Sequence, residues 1–147
     1  MRKRVLLLCT ANSCRSQMAE GIVRHELGSE WDAFSAGTRP GIVNPYAVLV
    51  MNEIGIDISG QASKHVDEFS GREFDLVITL CGEAAEECPL WLGLARKMHI
   101  PFDDPAKAVG SEEEILSAFR RVRNEIRERI PPVLKTSRPV FRSNGSG

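Results

Sequence analysis

The apolar run Val5-Leu6-Leu7-Leu8 is followed at once by Cys9, and five residues separate Cys9 from Arg15. Ser16-Gln17-Met18-Ala19-Glu20 then opens a stretch of helical character. A short continuous apolar run before a loop and a helix is the pattern of a strand buried on both faces. The chain is therefore committed to a strand–loop–helix unit at its start. The helix N-terminus aims free N–H groups and the positive end of its dipole into that loop, so an anion can bind there. The same field favours a thiolate, and such settings bring cysteine pKa values from ~8.5 down to roughly 3.5–7.5. One loop thus holds a candidate nucleophile, Cys9, beside a cradle for a tetrahedral oxyanion. Arg15 offers a planar fork to two oxyanion oxygens, and the backbone from Thr10, Ala11, Asn12, Ser13 and Cys14 to Arg15 supplies N–H groups for the rest. Ser16 can donate its hydroxyl hydrogen to the Cys9 thiolate, Asn12 best tolerates a left-handed backbone, and Cys14 reads as a packed bystander.

The pattern continues along the chain. Ser16–Leu27 is expected to be an amphipathic helix stopped by Gly28, and Trp31–Ala36 a second strand broken by Gly37. Asn44-Pro45 reads as an N-cap with a first-turn proline, opening a helix that Gly55 terminates. Phe74–Leu80 suits a doubly buried strand, and Lys97–Ile100 a short one before the Pro101–Pro105 loop. Ser111 with Glu114 forms a capping box. Ile115, Phe119, Val122, Ile126 and Ile130 then make one apolar stripe, which Pro131-Pro132 is expected to end. Strands alternating with helices predict an α/β fold, a three-layer α/β/α arrangement around a four-stranded parallel sheet. In such sheets ligands bind beyond the carboxyl ends of the strands, where Cys9, Cys81 and the Asp103-Asp104 pair would gather. Residues 1–132 are expected to form a single catalytic domain and 133–147 a flexible C-terminal tail.

With 147 residues, 42% of them hydrophobic, the chain can bury a core of its own. Its net charge of −1 argues against nucleic-acid or membrane partners, so any anion preference is local. Four apolar residues after Arg2-Lys3-Arg4 are too few for a signal peptide, which needs roughly 7–15. A cytoplasmic monomer is expected, its four cysteines reduced at rest. Cys81 and Cys88 lie seven apart, which argues against zinc, whose ligands come two to four residues apart, and no other metal site is read. His25, His65 and His99 read as structural or surface residues. The aspartates Asp103 and Asp104 compete evenly for a general-acid role beside the loop, with Pro105 stiffening the backbone.

Cys9-Thr10-Ala11-Asn12-Ser13-Cys14-Arg15-Ser16-Gln17-Met18-Ala19-Glu20-Gly21 resembles the loop of thioredoxin-coupled arsenate reductases, which share the fold of low-molecular-weight tyrosine phosphatases. Ser35-Ala36-Gly37, Asn44-Pro45, Ile56-Asp57-Ile58-Ser59, Cys81…Cys88-Pro89 and Phe102-Asp103-Asp104-Pro105-Ala106 match in register from about residue 4 to 130. One departure is Ala11, where the family often has glycine. The resemblance implies reduction of arsenate, for which phosphate is an analogue. Cys9 would be the nucleophile, Arg15 and the loop would stabilise charge, and Asp104 would be the general acid. Cys81 and then Cys88 would carry a disulfide relay to thioredoxin, with no other cofactor. If Glu83–Cys88 is helical, Cys81 and Cys88 lie about 10 Å apart along the axis. A disulfide needs Cα atoms within ~7 Å, so this segment would have to unwind. Some relatives hold potassium through residues matching Asn12, Glu20 and Ser35 plus a hydroxyl and a carboxylate. Here the last two positions are Ala62 and Lys64, so Lys64 is expected beside Glu20 in place of the ion. The alternatives are a phosphatase acting on phosphate monoesters, which has no use for Cys81 or Cys88, and a non-catalytic thiol protein that binds metal or senses redox state.

Overall fold

A computed structural model describes residues 2–82 and 93–136. Four strands, β1 (Lys3–Leu8), β2 (Trp31–Ala36), β3 (Leu76–Thr79) and β4 (Arg96–His99), form one sheet in the order β2-β1-β3-β4. Every pairing is parallel, with Leu8 opposite Ala36 on one side and Thr79 on the other, and Thr79 opposite His99. All four strands therefore end at one rim. The ladder runs slightly past them, through Cys9 N–H to Ala36 O (3.2 Å), Leu80 N–H to Leu8 O (2.8 Å) and Phe102 N–H to Leu80 O (3.1 Å).

The alternation of β1 sorts its side chains between two cores. Val5 and Leu7 join Leu76, Ile78 and Leu80 beneath the helices α1 (Arg15–Leu27), α2 (Pro45–Glu53) and α3 (Glu112–Thr136). Leu6 and Leu8 join Val77, Phe69 and Phe74 on the other face. There the third layer, among the described residues, is a 3₁₀ turn at Val66–Phe69 with edge-to-face contacts among Phe34, Phe69 and Phe74. The α/β/α arrangement around a four-stranded parallel sheet is the one the residue pattern predicts.

Three expectations need correction. Helix α1 is not amphipathic: every residue from Arg15 to Val23 is buried, because sheet, α2 and α3 enclose it. The polar residues of that stretch, Arg15, Ser16, Gln17 and Glu20, therefore all make polar contacts inside the protein. Pro131-Pro132 does not end α3, which continues to Thr136. Each proline removes one helical hydrogen bond, yet Ile130, Pro131 and Leu134 are buried as a further turn of the apolar stripe, and that burial outweighs the loss. Residues 133–136 thus belong to the packed helix, not to a tail; 137–147 lie outside the described residues. The strand expected over Phe74–Leu80 is shorter, since Phe74 turns into the aromatic cluster and Asp75 accepts a hydrogen bond from Arg4 N–H at 2.8 Å. The predicted caps are present. Asn44 accepts from Tyr46 N–H (2.8 Å), and Ser111 and Glu114 exchange hydrogen bonds (3.2 and 2.9 Å).

Candidate active site

Cys9 leaves β1 at the rim, and residues 10–14 curl back to the first turn of α1. Asn12 takes the left-handed conformation (φ 51°) that the sequence suggested for it. The loop's carbonyls all have partners outside the curl. Thr10 O accepts from Arg39 N–H, Ala11 O from Gly41 N–H and Ser63 Oγ, Ser13 O from Asn44 N–H, and Cys14 O from Met18 N–H. Asn12 O accepts from Gln17 Nε2 at 3.0 Å. In a trans peptide the N–H points opposite to the preceding C=O. Carbonyls turned outward from Thr10 to Cys14 therefore turn the N–H groups of Ala11 through Arg15 inward, a nest for an anion.

Within this nest Cys9 Sγ lies 2.9 Å from Ser16 Oγ, and Ser16 Oγ accepts from Asn12 Nδ2 at 2.7 Å. Arg15, only 2% exposed, spans the ends of two strands: its Nη1 donates to Phe102 O (3.2 Å) and approaches Leu80 O (3.5 Å). Its Nη2 stands 3.7 Å from Asp104 Oδ2. The geometry separates the two aspartates that sequence left even. Asp104 faces the guanidinium while its other oxygen caps a 3₁₀ turn through Ala106 N–H (3.0 Å); Asp103 faces Arg121 on α3 (3.3 Å), largely exposed. Cys81 is buried two residues past β3, on the strand next to Cys9. Cys88, and the helix expected over Glu83–Cys88, lie outside the described residues. Cys14 is buried at the N-cap of α1, and that burial pushes its thiol from 9.0 up to about 12; the Ser13 hydroxyl opposes the rise, while Asp104 and Cys9 add to it.

Two close approaches hold the rim together. A Cβ at Gly37 would collide with the Thr10 carbonyl oxygen and stand 2.7 Å from that of Cys9, so only glycine lets β2 back the loop. A Cβ at Gly82 would strike Phe102 O, the same carbonyl that receives Arg15. Gln17, fully buried, has no motif to announce it in the sequence. Its one sign is a polar residue directly before the apolar pair Met18-Ala19. No cluster of three potential metal ligands occurs among the described residues, and no described helix is long and apolar enough to cross a membrane.

Residues 4–138, which hold this cysteine, arginine and aspartate, match the family pattern of the low molecular weight phosphotyrosine protein phosphatases. The chain belongs to that family. Among the relatives of this phosphatase-fold protein is an arsenate reductase of Halalkalibacterium halodurans, 52% identical over 139 residues, 94% of this chain and all of that one. A solved arsenate reductase in the phosphate-binding state superposes with a TM-score of 0.78 at 33% identity, covering 92% of this chain and 99% of that one. A thioredoxin-dependent arsenate reductase of Corynebacterium glutamicum superposes at 0.64 with 26% identity, over 92% of this chain and 63% of that one.

Proposed function

We propose that this phosphatase-fold protein reduces arsenate to arsenite, using Cys9, Cys81 and Cys88 in turn and thioredoxin as the external reductant. The observation that carries the reading is the second thiol at the rim. Cys81 follows a strand hydrogen-bonded directly to β1, and parallel neighbours run about 4.8 Å apart. A phosphate-monoester hydrolase needs no such group. The arsenate reductases among its relatives, one of them thioredoxin-dependent, support the same reading.

The Cys9 thiolate attacks arsenic, Arg15 and the inward N–H groups stabilise the charge that develops, and Asp104 protonates the departing oxygen so that water leaves. The Cys81 thiolate then attacks Cys9 Sγ. The electron pair of the sulfur–arsenic bond stays on arsenic, which falls from the +5 to the +3 state and departs as arsenite, leaving a Cys9–Cys81 disulfide. Cys88 attacks Cys81, freeing Cys9, and the resulting Cys81–Cys88 disulfide is reduced by a thioredoxin dithiol. No resident metal or organic cofactor enters. Beside the loop, Glu20 accepts from Ser35 Oγ (2.5 Å), pairs with Arg24 (2.6 Å) and has Lys64 Nζ at 3.9 Å. Two cations already face this carboxylate, which supports Lys64 standing where relatives hold a potassium ion.

The loop, Arg15 and Asp104 are also all that phosphate-ester hydrolysis requires, so a weak phosphatase activity accompanies the main one. Arsenate-dependent NADPH consumption with thioredoxin and its reductase tests the assignment. Cys81→Ser is expected to abolish that consumption and to spare hydrolysis of an aryl phosphate, whereas Cys9→Ser abolishes both. Undiminished arsenate reduction by Cys81→Ser would exclude the relay.

A further inference from the structure

The contact between Ser16 Oγ and Cys9 Sγ is the last link of a chain whose three earlier links are each directed by a backbone group. Asn12 Oδ1 faces Lys64 N–H at 2.8 Å. A backbone N–H can only donate, so that atom must be the carboxamide oxygen and Nδ2 must be the group that donates to Ser16 Oγ. Gln17 Nε2 faces the backbone carbonyls of Ala62 (2.9 Å) and Asn12 (3.0 Å), which can only accept, so its nitrogen is fixed there and also donates to Asn12 Oδ1 at 3.0 Å. Gln61 Nε2 faces the Gln17 carbonyl at 3.1 Å for the same reason, and donates to Gln17 Oε1 at 2.7 Å. Arg24 Nη1 approaches Gln61 Oε1 at 3.5 Å. Donation therefore runs one way, from Gln61 to Gln17 to Asn12 to Ser16. With an acceptor site of Ser16 Oγ taken by Asn12, its hydroxyl hydrogen is left for Cys9 Sγ.

We propose that Gln17, held in turn by Gln61, is a positioning residue for the nucleophile. It locks the Asn12 carboxamide, and with it the left-handed turn of the loop, so that Ser16 presents a hydrogen rather than a lone pair to the Cys9 thiolate. The proposal rests on Cys9 being the nucleophile, but not on arsenate being its substrate. A hydrogen bond donated to the charged form favours that form. Gln17 thereby sets how much thiolate is present without touching the sulfur. These contacts to Asn12, Gln61 and Ala62 explain why a carboxamide is fully buried on α1.

The test is the pH profile of Cys9 alkylation by iodoacetamide in the full-length protein, with modification at Cys9 read by peptide mass spectrometry. Arg15 and Cys14 on the loop, Asp104 beyond β4 and Cys81 beyond β3 are the charged or titratable groups around the sulfur, and all are retained. In Gln17→Met the midpoint is expected to move up by about one pH unit, a tenfold loss of reactive thiolate below it. In a Ser16→Ala background the same substitution is expected to move it little, because Gln17 acts through Ser16. Gln61→Met, at the partly exposed end of the chain, is expected to give a smaller shift of the same sign, and it serves if Gln17→Met does not fold. An unmoved midpoint in the folded variants, or an equal shift with and without Ser16, overturns the proposal. Alkylation uses no arsenate, so a failure here is distinct from a failure of the wild-type protein to reduce arsenate.

Discussion

Cys14 and Cys9 are both buried cysteines of one loop, and their surroundings give them opposite parts. Cys9 Sγ lies 2.9 Å from the Ser16 hydroxyl; Cys14, at the N-cap of α1, has only a long contact to Ser13 Oγ (3.5 Å), and burial pushes its thiol up to about 12. In the unfolded chain that thiol ionises near 9.0, while in the folded protein it keeps its proton. The unfolded state thus binds fewer protons between those values, so the stability that Cys14 contributes is whole below pH 9 and is lost as pH climbs toward 12. Urea denaturation at pH 8 to 11 is expected to show that decline, and Cys14→Ala to flatten it. A slope unchanged by Cys14→Ala would contradict the assignment. Lys64 is the second residue whose charge decides something. With Arg24 and Lys64 both at Glu20, replacing sodium by potassium at constant ionic strength is expected to leave the turnover rate unchanged. A several-fold gain would mean that a cation displaces the ammonium group.

At the scale of elements, the rim depends on pieces brought very close together. Gly37 ends β2 against the backbone of the anion loop, and its own N–H and carbonyl bond Lys64 O and Val66 N–H (both 2.9 Å). Gly37→Ala must push the Thr10 carbonyl aside, an overpacking that costs about 1–3 kcal/mol. Phosphate affinity measured by calorimetry is expected to drop about tenfold or more, with the far-ultraviolet circular dichroism unchanged. Unaltered affinity would show that the loop tolerates the displacement. The elements themselves were readable where local chemistry decides them: the Asn44 cap, the Ser111–Glu114 box and the apolar run of β1 are all present as the residues suggest. Reading failed where tertiary burial decides. Pro131-Pro132 is a stop by backbone chemistry alone, but the buried side chains of Ile130 and Leu134 carry α3 past it. Helix α1 was expected to have a wet face, and its enclosure by three other elements leaves none before Arg24.

For the molecule as a whole, parallel topology does what no single motif can. It delivers Cys9, Cys81 and Asp104, each many residues from the others, to neighbouring positions on one rim. That gathering was legible in the sequence because parallel strands end on the same side. The choice of Asp104 over Asp103 was not, since it turns on which of two adjacent carboxylates faces Arg15 and which faces Arg121. Nor was the Gln61–Gln17–Asn12 chain, which exists only once the segment around residue 61 packs against α1. In the proposed reaction the thiols at the ends of β1 and β3 are oxidised to a disulfide and the two electrons pass to arsenic. A single turnover of Cys88→Ser with arsenate, followed by non-reducing peptide mapping, isolates that step. A Cys9–Cys81 disulfide is expected to form in step with one equivalent of arsenite. Arsenite released with both thiols still free, or a disulfide that omits Cys81, would contradict it.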